Sequence, residues 1–234
     1  MRGFFRNKQP IGTVSHILFA GGFIGLSIGT CSLVRHERSF QAERALKENQ
    51  KKWFFKSPTQ DNSAIKLENS FLGRIRFIVS KNLAHMKEEE KVVWGLISLN
   101  ALVFAAWQLP LPSVQKFMSK WFLNLPIANR PITLLTSVFS HQQPMHFGFN
   151  MMALYSFFPS FRKNNISSEQ VVSLYCTAGV FSSLVSHLSS FFIPGRCFIS
   201  GLGASGAIYS LLVGTALLNP TSKVGIIFIP GITF

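Results

Sequence analysis

The 234-residue chain is 47% hydrophobic and only 14% charged, with a formal net charge of +14. Eight of its nine acidic residues precede Lys91, and Glu169 alone follows it, so most of the chain has too little polar surface to be an ordinary soluble domain. The basic residues sit in loops flanking apolar spans rather than on one patch, which suits lipid headgroups and argues against nucleic acid as a partner.

Residues 1–13 form a basic tail with Arg2, Arg6 and Lys8 and no acid. Val14 to Val34 follows, 21 residues long with His16 its only potentially charged side chain, enough to cross a bilayer at 1.5 Å per residue. A secretory signal shares the basic start and apolar stretch, but the length and the glycines favour a retained helix. Gly21, Gly25 and Gly29 share one face, either as a stripe that admits a neighbouring helix or as chance clustering in a Gly-rich span. Residues 35–90 mix basic and acidic side chains and predict a solvated connector with one or two short surface helices, Ser57-Pro58 and Asp61-Asn62 breaking the run.

Val92 to Leu109 predicts a second span, with Trp94 and Trp107 near the two membrane interfaces and Pro110 and Pro112 stopping it. Residues 110–145 predict a long, mildly apolar loop. A third span runs from about Met145 to Phe161, and a fourth from Val171 to Ile193, started by Ser167-Ser168-Glu169 and ended by Pro194-Gly195. The Gly-rich turn Gly201 to Gly206 opens a fifth span ending at Leu218. Val224 to Phe234 begins a sixth of only eleven residues, roughly half a bilayer. Cys31, Cys176 and Cys197 are scattered, so neither a metal centre nor a disulfide framework is indicated.

Two constellations carry possible chemistry. In Gly201-Leu-Gly-Ala-Ser-Gly-Ala207 a serine stands among small residues at a helix start, where substrate backbone can approach and free N–H groups can hold an oxyanion. A flexible turn for helix packing has the same composition. His146 and Asn150 are four apart, on one helix face, and are costly in hydrocarbon unless they meet partners in the bundle. They serve either as oxyanion donors or as interhelical hydrogen-bonding groups.

Thr133-x-x-Thr-Ser-x-Phe-Ser-His141, then His146-x-x-x-Asn150, then Gly203-Ala-Ser-Gly206 together resemble the ordered signature of rhomboid intramembrane serine proteases. Leu99-Asn-Ala-Leu-Val-Phe-Ala-Ala-Trp107 and the N-terminal glycine-bearing span are most similar to the mitochondrial presenilin-associated rhomboid-like branch. The resemblance implies an all-α polytopic membrane protein: a rhomboid-like helical bundle with one extra N-terminal helix (14–34) and a partial six-helix core (91–234). It implies Ser205 as nucleophile, an oxyanion site formed by His146, Asn150 and the Ser205 N–H, and no cofactor or metal. It also implies a partly membrane-embedded first loop containing Arg130, transmembrane protein substrates within the bilayer, and the inner mitochondrial membrane as location.

The family's general base is a histidine on its last core helix. Here the histidines are 16, 36, 85, 141, 146 and 187, with none after Ser205, so the expectation is a C-terminally incomplete chain, inactive or impaired in this form. The absent helix is expected to pack against Gly206, Ser210 and Gly214. His187, whose helix ends near the turn before Ser205, is the alternative base. A non-catalytic rhomboid-like protein that holds client transmembrane helices is the alternative function. Loop charges vote both ways on orientation.

Overall fold

The computed structural model describes residues 9–53, 86–190, 192–193 and 195–221. The expected sixth span, most of the connector and the start of the basic tail lie outside these residues. The described chain is helical, and its only β-type pairing is an isolated bridge between Asn124 and Gly201. Three helical stretches, Thr13–Glu48, Glu90–Gln108 and Ser168–Ser189, are long and apolar enough to cross a membrane.

Helix α1 (Gln9–Trp53) is 45 residues long, about 68 Å at 1.5 Å per residue, twice a bilayer's hydrocarbon core. It therefore does not stop at Val34 but carries the first part of the expected connector with it. The physical reason is local: no Pro or Gly occurs between Val34 and Trp53, and pairs four apart, such as Gln41 donating to Glu37 at 2.9 Å, support the helix. Among the described residues the Gly21, Gly25 and Gly29 stripe meets no neighbour, since a Cβ at each would find no atom within 4 Å. Instead α1 lies antiparallel along α6 (Ser168–Ser189). His16 stacks on His187 with centroids 4.1 Å apart, the Ser27 and Ser173 hydroxyls are 3.1 Å apart, and Arg38 pairs with Glu169 at 2.5 Å.

Helix α2 (Glu88–Gln108) ends at an extended Leu109 immediately before Pro110. Trp94 is exposed, as expected of an interfacial indole, but Trp107 is buried and its Nε1 donates to Ser140 Oγ at 2.8 Å. The expected loop at 110–145 is largely built: α3 (Pro112–Trp121) starts with Pro at its first position, and a 3-10 turn (Pro126–Ala128), α4 (Thr133–Thr136) and a second 3-10 turn (Ser137–Phe139) follow. Helix α5 (Pro144–Lys163) follows, and then α6, capped by Ser167 and Gln170 in reciprocal hydrogen bonds. Helix α6 ends at Ser189, short of the expected Ile193.

Helix α7 (Ser205–Leu218) packs against α5 and α6. Among apolar side chains, lipid competes equally well for contact, so close approach and polar ties set the bundle's geometry. Gly206 lies against Ser182 of α6 and Gly214 against Phe161 of α5, where a Cβ would come closer than 3.0 Å to those side chains. These two positions are thus occupied by α6 and α5, rather than kept open for the further helix expected there. Asn100 of α2 donates to the Tyr175 hydroxyl of α6 at 3.2 Å, and Asn219 at the end of α7 donates to Ser160 Oγ of α5 at 2.6 Å.

Candidate active site

The turn Gly201–Ala204 delivers Ser205 to the first position of α7, and the described bundle pins that turn at three places. Asn124 and Gly201 exchange backbone hydrogen bonds at 3.0 and 2.8 Å. The Gly203 N–H donates to the Ser137 carbonyl at 2.9 Å, and the Ala204 N–H donates to His141 Nε2 at 3.3 Å. Gly203 is at φ 116°, a conformation open to glycine but strained for any side chain. As the first residue of the helix, Ser205 has no intrahelical partner for its N–H.

Ser205 is exposed, and beside it lies a cavity of about 200 Å³ with a serine-rich wall: Ser137, Ser182, Ser183 and Ser186 join Asn124 and the 201–206 turn. Asn124 also donates through Nδ2 to the Ser183 carbonyl at 3.2 Å, tying the loop after α3 to α6 at the cavity's edge.

His146 sits on the first turns of α5 with its ring against Gly203; a Cβ there would lie 2.6 Å from its Cε1. Its ring is edge-on to His141 at 5.1 Å. Asn150, one turn later, is buried and donates through Nδ2 to the His146 carbonyl at 2.8 Å. An amide nitrogen carries two hydrogens, so one is left for another acceptor. Ser205 and His146 thus meet at one turn, and Asn150 lies one helical turn beyond on the same face.

His187 does not join them. It is buried between α6 and α1, stacked on His16, and the cavity at Ser205 is lined by its neighbours Ser183 and Ser186. No described histidine is hydrogen-bonded to Ser205 Oγ.

Sequence reasoning passed over Asn124, Ser137 and His141 as positioning groups. His141 stood inside the quoted motif without a role. It lies in the loop before α5, fully buried, and its pKa is pushed down to about 4, mainly by burial and then by His146, against an opposing contribution from the Phe139 backbone. A neutral imidazole is what an Nε2 acceptor for Ala204 requires. Among the described residues no group of three His, Cys, Asp or Glu side chains is placed to hold a metal ion.

Fold and site together define a helical integral membrane protein with a serine at the N-terminus of an apolar helix, faced by a histidine and an asparagine from a neighbouring helix. The Rhomboid domain model matches residues 128–234. The chain is 31% identical over 233 residues to the mouse (Mus musculus) protein "Presenilin-associated rhomboid-like protein, mitochondrial", covering 99% of this chain and 58% of that protein. It is 32% identical over 146 residues to "Rhomboid protein 1, mitochondrial" of Saccharomyces cerevisiae, covering 60% and 40%. "RHOMBOID-like protein 12, mitochondrial" of Arabidopsis thaliana is 28% identical over 204 residues, covering 72% and 60%. No solved structure matches. The chain belongs to the rhomboid family, on its presenilin-associated rhomboid-like side, and is an integral mitochondrial membrane protein. It spans a little under three fifths of the length of the mouse relative.

Proposed function

We propose that this chain supplies the nucleophile and oxyanion-binding half of an intramembrane serine endopeptidase that cuts transmembrane segments of single-pass proteins in the inner mitochondrial membrane. The observation that carries this proposal is the convergence of His146 on the turn that presents Ser205 at a helix N-terminus. Ser205 Oγ attacks the scissile carbonyl and its proton leaves to a base. The resulting oxyanion is held by the Ser205 N–H, the His146 ring and the free Nδ2 hydrogen of Asn150. The polar cavity lined by Ser182, Ser183 and Ser186 gives water a place beside the nucleophile for the hydrolytic second step. No described histidine pairs with Ser205, so the base lies outside the described geometry.

That same lack of a paired base within the described residues favours a second reading, a client-holding protein that binds transmembrane helices without cutting them. One experiment separates the two. The native protein and its Ser205→Ala variant, in their own membrane, are treated with a fluorophosphonate probe and given a labelled single-pass substrate. Probe labelling and cleavage that both vanish in Ser205→Ala support the protease. An unlabelled protein that co-purifies with intact substrate supports the client holder.

A further inference from the structure

A second polar feature lies outside the candidate active site, on the loop side of α3. Its outward face carries Ser113, Lys116, Phe117 and Lys120, at the i, i+3, i+4, i+7 spacing of one helical face, and all four are exposed. The opposite face is anchored, with Met118 buried against Val103 and Trp107 of α2. The orientation of the cationic face is therefore set by packing.

Asn129, in a left-handed conformation, turns the chain after the Pro126–Ala128 3-10 turn and brings Arg130 back onto the end of α3. Arg130 Nη1 donates to the Lys120 carbonyl at 3.0 Å. The Lys120 ammonium is 5.0 Å from the centroid of the Trp121 ring, and the Arg130 guanidinium is 6.0 Å from it. Two cations therefore converge on one indole. No carboxylate occurs in the sequence between Glu90 and Glu169, and neither cation is paired with one among the described residues. Like charges held this close repel unless an anion joins them.

We infer that Lys120 and Arg130, both beside the Trp121 ring and supported by Lys116, form a binding site for the phosphate of an anionic phospholipid in the surrounding membrane. Charge complementarity selects an anion, and the neighbouring surface selects lipid. Phe117 is 54% exposed and Ile127 49% exposed, which is unfavourable in water and favourable beside acyl chains. An indole with adjacent Lys and Arg is also the side-chain set found at the headgroup level. Arginine's planar fork takes two phosphate oxygens and lysine acts as a point charge on the third side.

The test uses the native protein in nanodiscs of phosphatidylcholine with and without phosphatidylglycerol, released for native mass spectrometry. Wild-type protein is expected to retain phosphatidylglycerol over phosphatidylcholine, with the preference falling roughly 5-fold for each cation removed in Lys120→Gln and Arg130→Gln. Lys120→Arg, which keeps a cation, is expected to hold the preference, and Arg130→Lys, which keeps the charge without the fork, to hold more of it than Arg130→Gln, which separates loss of the site from loss of the fold. Brominated phosphatidylglycerol is expected to quench tryptophan emission more than brominated phosphatidylcholine, and the excess to disappear in Trp121→Phe. Equal retention of the two lipids, an unchanged preference in the Gln variants, or displacement of the lipid by inorganic phosphate at matched concentration overturns the assignment.

Discussion

The backbone N–H of Ala204 donates to Nε2 of His141 at 3.3 Å, joining the residue before the candidate nucleophile to a histidine 63 positions earlier. Both residues are fully buried, so the N–H has no water to replace that acceptor. His141→Leu keeps bulk at the site but leaves the N–H unsatisfied, at a cost of about 1–3 kcal/mol. The expected result is a lowered melting temperature in detergent, with His141→Gln, which retains an acceptor, losing less. Equal melting of all three proteins would mean that the turn is held without this bond.

The same histidine predicts a pH dependence. Its folded pKa is pushed down to about 4, while the unfolded chain protonates it near 6.5. Above 6.5 neither state carries the proton and the contribution is fully present. As the pH falls from 6.5 toward 4, the unfolded state takes up a proton that the folded state refuses, so stability is lost across that window. Melting curves between pH 7.5 and 4 are expected to decline more steeply for wild type than for His141→Gln, which cannot titrate. Parallel curves would show that His141 titrates alike in both states.

Gly203 is constrained twice, by its φ of 116° and by the His146 ring that a Cβ would strike. Gly195 has a positive φ of 79° but open space around its Cβ position. Gly195→Ala therefore measures backbone strain alone, on the order of 1–3 kcal/mol, and Gly203→Ala measures strain plus the displaced imidazole. Gly203→Ala is expected to melt lower than Gly195→Ala and, in the native protein, to lose fluorophosphonate labelling that Gly195→Ala keeps. Matching behaviour of the two variants would remove His146 from contact with the turn.

What could be read from sequence was local. The helix start at Ser167-Ser168-Glu169 and the stop at Leu109-Pro110 each act through neighbours within four residues, and each stands where expected, whereas the helix that Pro112 opens falls in a stretch read as loop. The candidate nucleophile Ser205 and the His146–Asn150 face could be picked out for the same reason: a small-residue turn and an i, i+4 pair are short-range patterns. The groups that fix the turn were not. Asn124, Ser137 and His141 reach Gly201, Gly203 and Ala204 across more than 60 residues, and two of these three ties use main-chain atoms that any residue possesses. Trp107 was misplaced because an indole near a span's end looks interfacial until its Nε1 finds a buried hydroxyl, here that of Ser140. Helix α1 ran past Val34 because polarity alone marks the edge of the hydrocarbon, whereas a helix ends only where its backbone is broken.

The oxyanion assignment separates His146 and Asn150 from residues that merely build the bundle. Asn150 already spends one Nδ2 hydrogen on the His146 carbonyl, so Asn150→Ala removes both a fold contact and a transition-state donor. The two losses differ in kinetics. Losing a donor that acts only on the developing oxyanion lowers kcat by about 100- to 1,000-fold with KM little changed. A packing defect lowers melting temperature and the amount of folded enzyme without that split. In the native protein, His146→Gln and Asn150→Ala are expected to show the kcat loss on a single-pass substrate, and His146→Gln to retain more activity than His146→Ala because an amide N–H still reaches toward the oxyanion. A fall in melting temperature with normal kcat per folded molecule would return both residues to a structural role.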